Sequence, residues 1–147
     1  MKSSQRVKRI KLTVNDQEEP VVVLIVTPDP DYKLTLKINS ALNIALKGSD
    51  PVYLTASGKT ESAFSRFTDD KGSPELIIHL ISNKSGNNYL LKKFKNIDYI
   101  FVLHDQEKRM NFNQISVKLR KIDSVTAVFK VDAKTLKDKD LTYIISS

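Results

Sequence analysis

Two histidines, His79 and His104, are the side chains of this sequence best suited to acid–base chemistry or metal binding. His79 lies inside the apolar run LIIHLI, where a histidine is more often a buried, hydrogen-bonded residue than a ligand. His104 precedes Asp105, and a His–Asp pair can transfer protons. Neighbouring residues of a strand point to opposite faces, however, so this pair is not expected to act together. We therefore predict no catalytic residue.

The sequence lacks the other motifs that carry chemistry. Its 147 residues include no cysteine, which excludes disulfides, thiolate metal sites and cysteine nucleophiles. Neither H-E-x-x-H nor a glycine-rich phosphate-binding pattern occurs. The tripeptide GKT at 58–60 ends like a P-loop, but it lacks the upstream glycine and precedes an expected strand, so we interpret it as a turn. We predict no metal site and no cofactor.

The charge distribution gives the chain one candidate binding surface. The formal net charge is +7, and residues 84–147 carry 13 Lys/Arg against 7 Asp/Glu. KKFK at 92–95 and FSRF at 64–67 mix aromatic and basic residues, and sheets that bind RNA use rings and lysines together. The alternative is a solvated basic surface, with the phenylalanines of both motifs in the core. The candidate anion contacts are Lys92, Lys93, Lys95, Lys118, Arg120 and Lys121.

Hydrophobic patterns predict the strands that would position these residues. VVVLIVT at 21–27 is a continuous β-branched run, which is typical of a strand covered on both faces. Residues 125–131 alternate apolar and polar side chains, as a half-buried strand does. Further strands are predicted at 6–14, 51–56, 63–68, 75–82 and 97–105, with a hairpin arm at 89–91 after the turn NKSGNN.

Two helices are predicted between these strands. The first follows PDPD, where Asp29 is the expected N-cap, Pro30 fits the first helical position and Gly48 is the expected terminator. The second covers about residues 110–122. Both have an apolar stripe at helical spacing, which requires a partner surface. The apolar stripe of the first helix is Leu34, Ile38, Leu42 and Ala45.

The order of elements is therefore β-β-α-β-β-β-β-α-β in a single domain of residues 1–147, with a flexible end at about 1–6. Two helices cannot cover both faces of so many strands, so a two-layer sandwich of class α+β is the economical architecture. We expect a mostly antiparallel sheet with two main helices on one face, distantly ferredoxin-like.

Five segments together resemble a known family in order and spacing: DYKLTLKINSALNI, FSRFTDD, HLISNKSGNNYLL, KNIDYIFVL and VTAVFKVDAKTLKDKDLTYI. The family is a group of small bacterial proteins named for its I-P-E-x-x-x-V-D-Y motif, and the resemblance covers about residues 7–145. In LKKFKNIDY at 91–99, Asp98 and Tyr99 are kept, Ile97 replaces the valine, and Leu-Lys-Lys stands where the family has I-P-E.

The resemblance implies a stand-alone bacterial cytoplasmic domain, and the family has no established activity. It also suggests one shared surface patch, which strand alternation alone would not bring together. The candidate patch consists of Arg66, Ser82, Asn83, Lys84, Asp98 and Tyr99.

We expect a non-enzymatic cytoplasmic module that binds an unknown ligand, a protein partner or a second copy of itself through a sheet edge or helix face. The alternative is a nucleic-acid-associated protein that uses the basic C-terminal half. An enzyme whose site we have not located is a remote alternative. The longest apolar runs are about six residues, against the roughly 18 that span a bilayer, and no secretory signal is recognised, so no membrane association is expected.

Overall fold

The computed structural model describes residues 20–54, 62–70 and 75–132. The predicted strand at 6–14, the GKT turn and the C-terminal tail lie outside these residues. The described chain forms a six-stranded sheet, a two-stranded sheet and two helices. The elements are β1 (Val21–Val26), α1 (Asp31–Leu42), β2 (Lys47–Leu54), β3 (Ser62–Asp69), β4 (Leu76–Ser82), β5 (Lys84–Ser85), β6 (Asn88–Tyr89), β7 (Tyr99–Asp105), α2 (Phe112–Arg120) and β8 (Ala127–Val131).

The large sheet has the strand order β2-β3-β4-β7-β1-β8, and every neighbouring pair is antiparallel. β1 lies inside the sheet, between β7 and β8, which explains why its sequence is continuously apolar rather than alternating. The short strands β5 and β6 form a separate hairpin in which Lys84 pairs with Tyr89. The predicted α+β sandwich with two helices on one face is confirmed, whereas the ferredoxin-like resemblance is not confirmed.

Both helices pack on the same face of the sheet and form the first of two apolar cores. Leu34, Ile38 and Leu42 of the predicted α1 stripe are buried there at helical spacing, whereas Ala45 lies beyond the end of the helix. From the sheet, Ile25 and Phe101 point into the same core and are fully buried. Burial of each such side chain stabilises the fold by about 1.5–3 kcal/mol relative to exposure. Neither helix is long and apolar enough to cross a membrane in the described part of the chain.

The opposite face of the sheet carries a second apolar core. Leu24, Ile100 and Phe64 belong to it, since alternate residues of each strand point to opposite faces. The connection between β4 and β7 packs onto this face with Leu91 and Ile97. The two helices therefore cover one face, and part of the other face is covered by a loop.

The ends of α1 differ from the prediction. Pro30, which has no polar side chain, occupies the N-cap position in an extended conformation. The prediction of Asp29 as the cap is wrong, because its carboxylate binds the side chains of Lys37 and Ser124 instead. The helix ends at Asn43, whose φ of 57° is left-handed, and not at Gly48, which lies in β2.

Candidate functional site

Residues 83–97 connect β4 to β7 over the face opposite the helices, and we call them the lysine segment. Its conformation depends on Asn83, whose side chain is fully buried. Asn83 Oδ1 accepts a hydrogen bond from the Leu91 amide at 2.7 Å. The Asn83 Nδ2 group donates to the carbonyl oxygens of Phe94 at 2.9 Å and Ile97 at 3.0 Å. Because one side chain satisfies three backbone groups, the segment is held in one conformation against the sheet.

The lysine segment contains four lysines and no Asp or Glu. Lys92, Lys93 and Lys95 are exposed. Lys95 Nζ lies 5.9 Å from the centre of the Tyr89 ring, and Lys93 Nζ lies 5.7 Å from the centre of the Phe94 ring. Both distances permit a cation–π interaction. Each of these two rings has a lysine over one face. The surface of the segment is therefore mainly positively charged, and less of it is open aromatic surface.

The fourth lysine of the segment, Lys84, is paired. Its Nζ lies 2.9 Å from Asp98 Oδ1, and this hydrogen bond raises the pKa of Lys84. Asp98 Oδ2 accepts a hydrogen bond from the Thr27 amide at 2.9 Å. The Asp98 carboxylate therefore connects the start of the lysine segment to the end of β1, and Lys84 has a structural partner that fixes its position.

The candidate surface patch is brought together in part. Ser82 Oγ donates to the Lys84 carbonyl oxygen at 2.9 Å, and Lys84 binds Asp98. Ser82 also pairs with Tyr99 across β4 and β7. These contacts make Ser82, Lys84 and Asp98 neighbours at one end of the sheet.

The other three members of that patch are buried, so the prediction that they lie on a surface is wrong. Asn83 is inaccessible, and Tyr99 and Arg66 are 6% and 8% exposed. The Tyr99 hydroxyl donates to the Asp29 carbonyl oxygen at 2.7 Å on the helix side, and burial raises the pKa of this tyrosine. Arg66 pairs with Ile81 of the second apolar core, so its side chain is on the opposite face from Tyr99.

The six candidate anion contacts fall into two groups in different layers. The first group, Lys92, Lys93 and Lys95, is in the lysine segment over the second apolar core. The second group, Lys118, Arg120 and Lys121, is in or just after α2, whose buried residues pack in the helix-side core. Arg120 Nη2 donates to the Val128 carbonyl oxygen at 3.3 Å, and cations near a helix C-terminus stabilise the helix. The six residues therefore do not form one patch.

A polar cluster joins β1, α1 and the turn before β8. Asp29 Oδ2 lies 2.9 Å from Lys37 Nζ and accepts a hydrogen bond from Ser124 Oγ. These bonds, that of Ser124 first, lower the pKa of Asp29, while the bond to Asp29 raises the pKa of Lys37. Thr27 Oγ1 donates to the Ser124 carbonyl oxygen at 3.0 Å. A serine beside a lysine can form a catalytic pair, but this lysine is held protonated and the serine donates to a weakly basic carboxylate.

Sequence patterns missed this cluster because Ser124 is 95 residues from Asp29. Asp29 and Lys37 occupy positions that are ordinary for a helix start and a helix surface. The only signal is the density of polar residues in TPDPD, which the helix-cap interpretation accounts for equally well.

A row of polar side chains crosses the face opposite the helices, beside the second apolar core. Thr68 Oγ1 lies 2.9 Å from His79 Nδ1 and 2.8 Å from Ser49 Oγ. The rings of His79 and His104 meet edge to face with centres 6.0 Å apart. Burial, followed by the positive charge of Arg66 and by His104, lowers the pKa of His79 to about 4. His79 is therefore a neutral, buried and hydrogen-bonded residue, as its apolar sequence context predicts.

His104 and Asp105 have separate surroundings, although they are adjacent in β7. The Asp105 carboxylate accepts hydrogen bonds from the amides of Arg109 at 2.9 Å and Met110 at 2.8 Å, which close the turn before α2. No group of three or more His, Asp or Glu side chains within the described ranges is arranged to hold a metal ion.

Comparisons with known proteins identify no relative. No protein-family model, curated protein or solved structure matches this chain.

Proposed function

We propose that this chain is a non-enzymatic binding module whose lysine segment contacts an anionic partner, with nucleic acid as the partner class. The proposal rests on one observation: Lys92, Lys93 and Lys95 are exposed on a segment without acidic residues. The buried Asn83 holds that segment in one conformation, which lowers the entropy lost when the lysines bind. Lysines at such positions contact phosphates as point charges.

A non-enzymatic role is supported by the state of the polar groups that could do chemistry. Lys37 is held protonated by Asp29, so it is a poor general base near neutral pH. His79 is neutral and hydrogen-bonded to Thr68. The exposed charges of the lysine segment are suited to recognition and not to proton transfer.

We also propose that the protein is cytoplasmic and that it belongs to the bacterial family named for the I-P-E-x-x-x-V-D-Y motif. A chain without cysteine has no disulfide for a reducing compartment to break. The resemblance that suggests the family covers most of the chain, and Asp98 and Tyr99 of its motif are kept.

The test is fluorescence anisotropy with short labelled DNA and RNA between 50 and 200 mM salt. If three lysines each neutralise one phosphate, the log–log slope of affinity against salt is about −2.7 on duplex DNA and about −2.1 on single strands. The fourfold change in salt then weakens binding roughly 40-fold and roughly 20-fold, respectively. Binding that is absent at 50 mM salt contradicts the proposal.

The fold provides a matched control for charge. The triple variant Lys92→Gln, Lys93→Gln, Lys95→Gln removes three positive charges from the lysine segment. The variant Lys118→Gln, Arg120→Gln, Lys121→Gln removes the same number from the helix layer. We expect the first variant to bind weakly with a slope near zero and the second to retain most of the wild-type affinity. Equal losses would mean that net charge alone, and not the lysine segment, attracts the nucleic acid.

A protein partner or a second copy of the chain is the second candidate, and an apolar surface on α1 favours it. Tyr32 and Leu36 are 63% and 67% exposed, and they lie four residues apart on one side of the helix. A dimer that uses this surface would show twice the monomer mass in light scattering and would dissociate in the variant Leu36→Lys. A monomeric mass at all protein concentrations would contradict self-association through this surface.

A further inference from the structure

The buried Arg66 guanidinium is the most unusual charged group in the described residues. The side chain of Arg66 is 8% exposed, and within the part of the chain that the structure describes its Nε and Nη1 atoms have no hydrogen-bond partner. Burial lowers the pKa of Arg66, and the negative charge of Asp50 opposes that shift without a hydrogen bond. An arginine remains protonated in proteins, so a buried positive charge lies here with no described acidic side chain bonded to its Nε or Nη1.

Buried donors are nearly always satisfied, and an exception requires an explanation. A purely structural explanation is weak here, because an arginine that only filled space could be replaced by an apolar residue without the cost of burying a charge. The unsatisfied donors Nε and Nη1 lie on different edges of the planar guanidinium. Each of them forms a two-donor edge with Nη2, and either edge matches the two oxygens of a carboxylate or phosphate.

The neighbours of Arg66 suit the same type of ligand. Thr68 is two residues further along β3 and on the same face, and it pairs with His79 of β4. Arg66 is close enough to lower the pKa of His79 by its charge. Ser49 Oγ contacts Thr68 Oγ1 and extends this polar row to β2. Ser49 Oγ donates to the Arg66 carbonyl oxygen, and Thr68 Oγ1 bonds to both Ser49 and His79. Of these groups, the guanidinium therefore keeps donors for an oxyanion, and the others form a polar surrounding.

We propose that Arg66 is the centre of a binding site for an oxyanion, the carboxylate or phosphate group of a small ligand. The guanidinium supplies the charge and a pair of donors, and Thr68 and His79 line the neighbouring positions. The proposal is independent of the proposed function, because it uses none of the exposed lysines. The proposal gives a ligand class to the row of polar side chains on the sheet face that otherwise carries the second apolar core.

The experiment is titration of the whole chain with inorganic phosphate, and separately with acetate, at constant ionic strength adjusted with chloride. We expect one of the two anions to raise the Tm of the wild type by about 3 °C or more, with saturation at millimolar concentration. Arg66→Met should show no saturable rise. The anion that saturates identifies the ligand as phosphate-like or carboxylate-like.

Two comparisons distinguish binding at Arg66 from a general effect of the anion on stability. Phosphate also stabilises proteins by exclusion from their surfaces, but that effect does not saturate and would be equal in Arg66→Met. The variant Lys92→Gln, Lys93→Gln, Lys95→Gln should keep the saturable response, since its lysines are exposed on the connection between β4 and β7, whereas Arg66 is buried in β3. Loss of the response in that variant, or equal responses in the wild type and Arg66→Met, overturns the proposal.

A second measurement covers the case in which Arg66→Met does not fold. In NMR spectra of the wild type, the Arg66 Nε–H and the ring of His79 should shift together as the anion is added. The bound anion should also raise the pKa of His79, because it offsets the positive charge of Arg66. The other groups that act on this imidazole are His104 and Asp70. An unchanged Arg66 Nε–H signal at saturating phosphate and acetate contradicts the site.

Discussion

Replacement of Asn83 by alanine should destabilise the protein more than almost any other polar substitution. The alanine removes one acceptor and two donor contacts, those with the Leu91 amide and the carbonyl oxygens of Phe94 and Ile97. A hydrogen bond contributes about 1 kcal/mol net, and a buried partner left unsatisfied costs about 1–3 kcal/mol. Because Asn83 is fully buried, water does not replace these bonds in the folded chain. The expected loss in the free energy of unfolding is therefore about 3–5 kcal/mol.

Two further variants separate this explanation from a general effect of changing the lysine segment. Asn96→Ala makes the same chemical change at an exposed position of the segment and should cost less than about 0.5 kcal/mol. Asn83→Asp keeps the shape and the acceptor for Leu91, but it places a carboxylate against two carbonyl oxygens. Its cost should decrease as the pH is lowered, because protonation removes the buried charge and restores one donor.

The assay is urea unfolding followed by circular dichroism, combined with amide hydrogen exchange. The Leu91 amide should be protected in the wild type and should exchange rapidly in Asn83→Ala. A change in the free energy of unfolding below about 1 kcal/mol in Asn83→Ala would refute the reasoning, and so would an equal loss in Asn96→Ala. Either result would mean that the apolar contacts of the segment hold it without Asn83.

Three other predictions follow from the two faces of the sheet and from the cluster at Asp29. Phe64→Ala should cost about 3–5 kcal/mol in urea unfolding, whereas Phe129→Ala, at a ring that is 51% exposed, should stay within about 0.5 kcal/mol. Asp29→Asn should be less stable than the wild type at pH 7. That difference should close as the pH falls below 3.8, since a lowered carboxyl pKa gives stability that acid removes. His79 takes up a proton in the unfolded chain before it does so in the folded one, so wild-type stability should fall as the pH decreases from 6.5 to about 4. His79→Gln should remove up to about 1.4 kcal/mol per pH unit of that slope, and an unchanged slope in a pH series of unfolding curves would contradict this.

The fold class could be predicted from the sequence because it depends on local periodicity. The pattern of apolar residues indicates how many faces of an element are buried. Examples are the apolar stripe of α1, the alternation in β8 and the continuous apolar run of β1. The ends of α1 could not be predicted in the same way. Asp29 has the residue type of an N-cap, but its carboxylate is engaged by Ser124, which only the tertiary fold brings near. After the helix, the Asp69 side chain accepts a hydrogen bond from the Ala45 amide, and the Asn39 side chain accepts one from the Leu46 amide. These bonds stabilise a backbone conformation that no short sequence motif encodes.

The candidate site was less predictable than the fold for a related reason. The lysines of KKFK are exposed, as their charge predicts, because water solvates an ammonium group well. Asn83 and Arg66 have residue types that are usually on the surface, yet both are buried. Three backbone partners satisfy Asn83, and these depend on the path of a loop. The burial of Arg66 follows from strand pairing with Ile81, which the sequence does not specify.

The position of β1 between β7 and β8 has a consequence for synthesis of the chain. β1 is made early, but its pairing partners end at Asp105 and Val131, so its hydrogen bonds with β8 must wait for about 100 more residues. At about 5–20 residues per second, the run VVVLIV spends roughly 5–20 s without its final neighbours. β2, β3, β4 and β7 lie side by side in the sheet in the order in which they are made, with only the β5–β6 hairpin between β4 and β7, so they can assemble in the order of translation. β1 is therefore the segment for which a nascent chain of this protein would most need a chaperone.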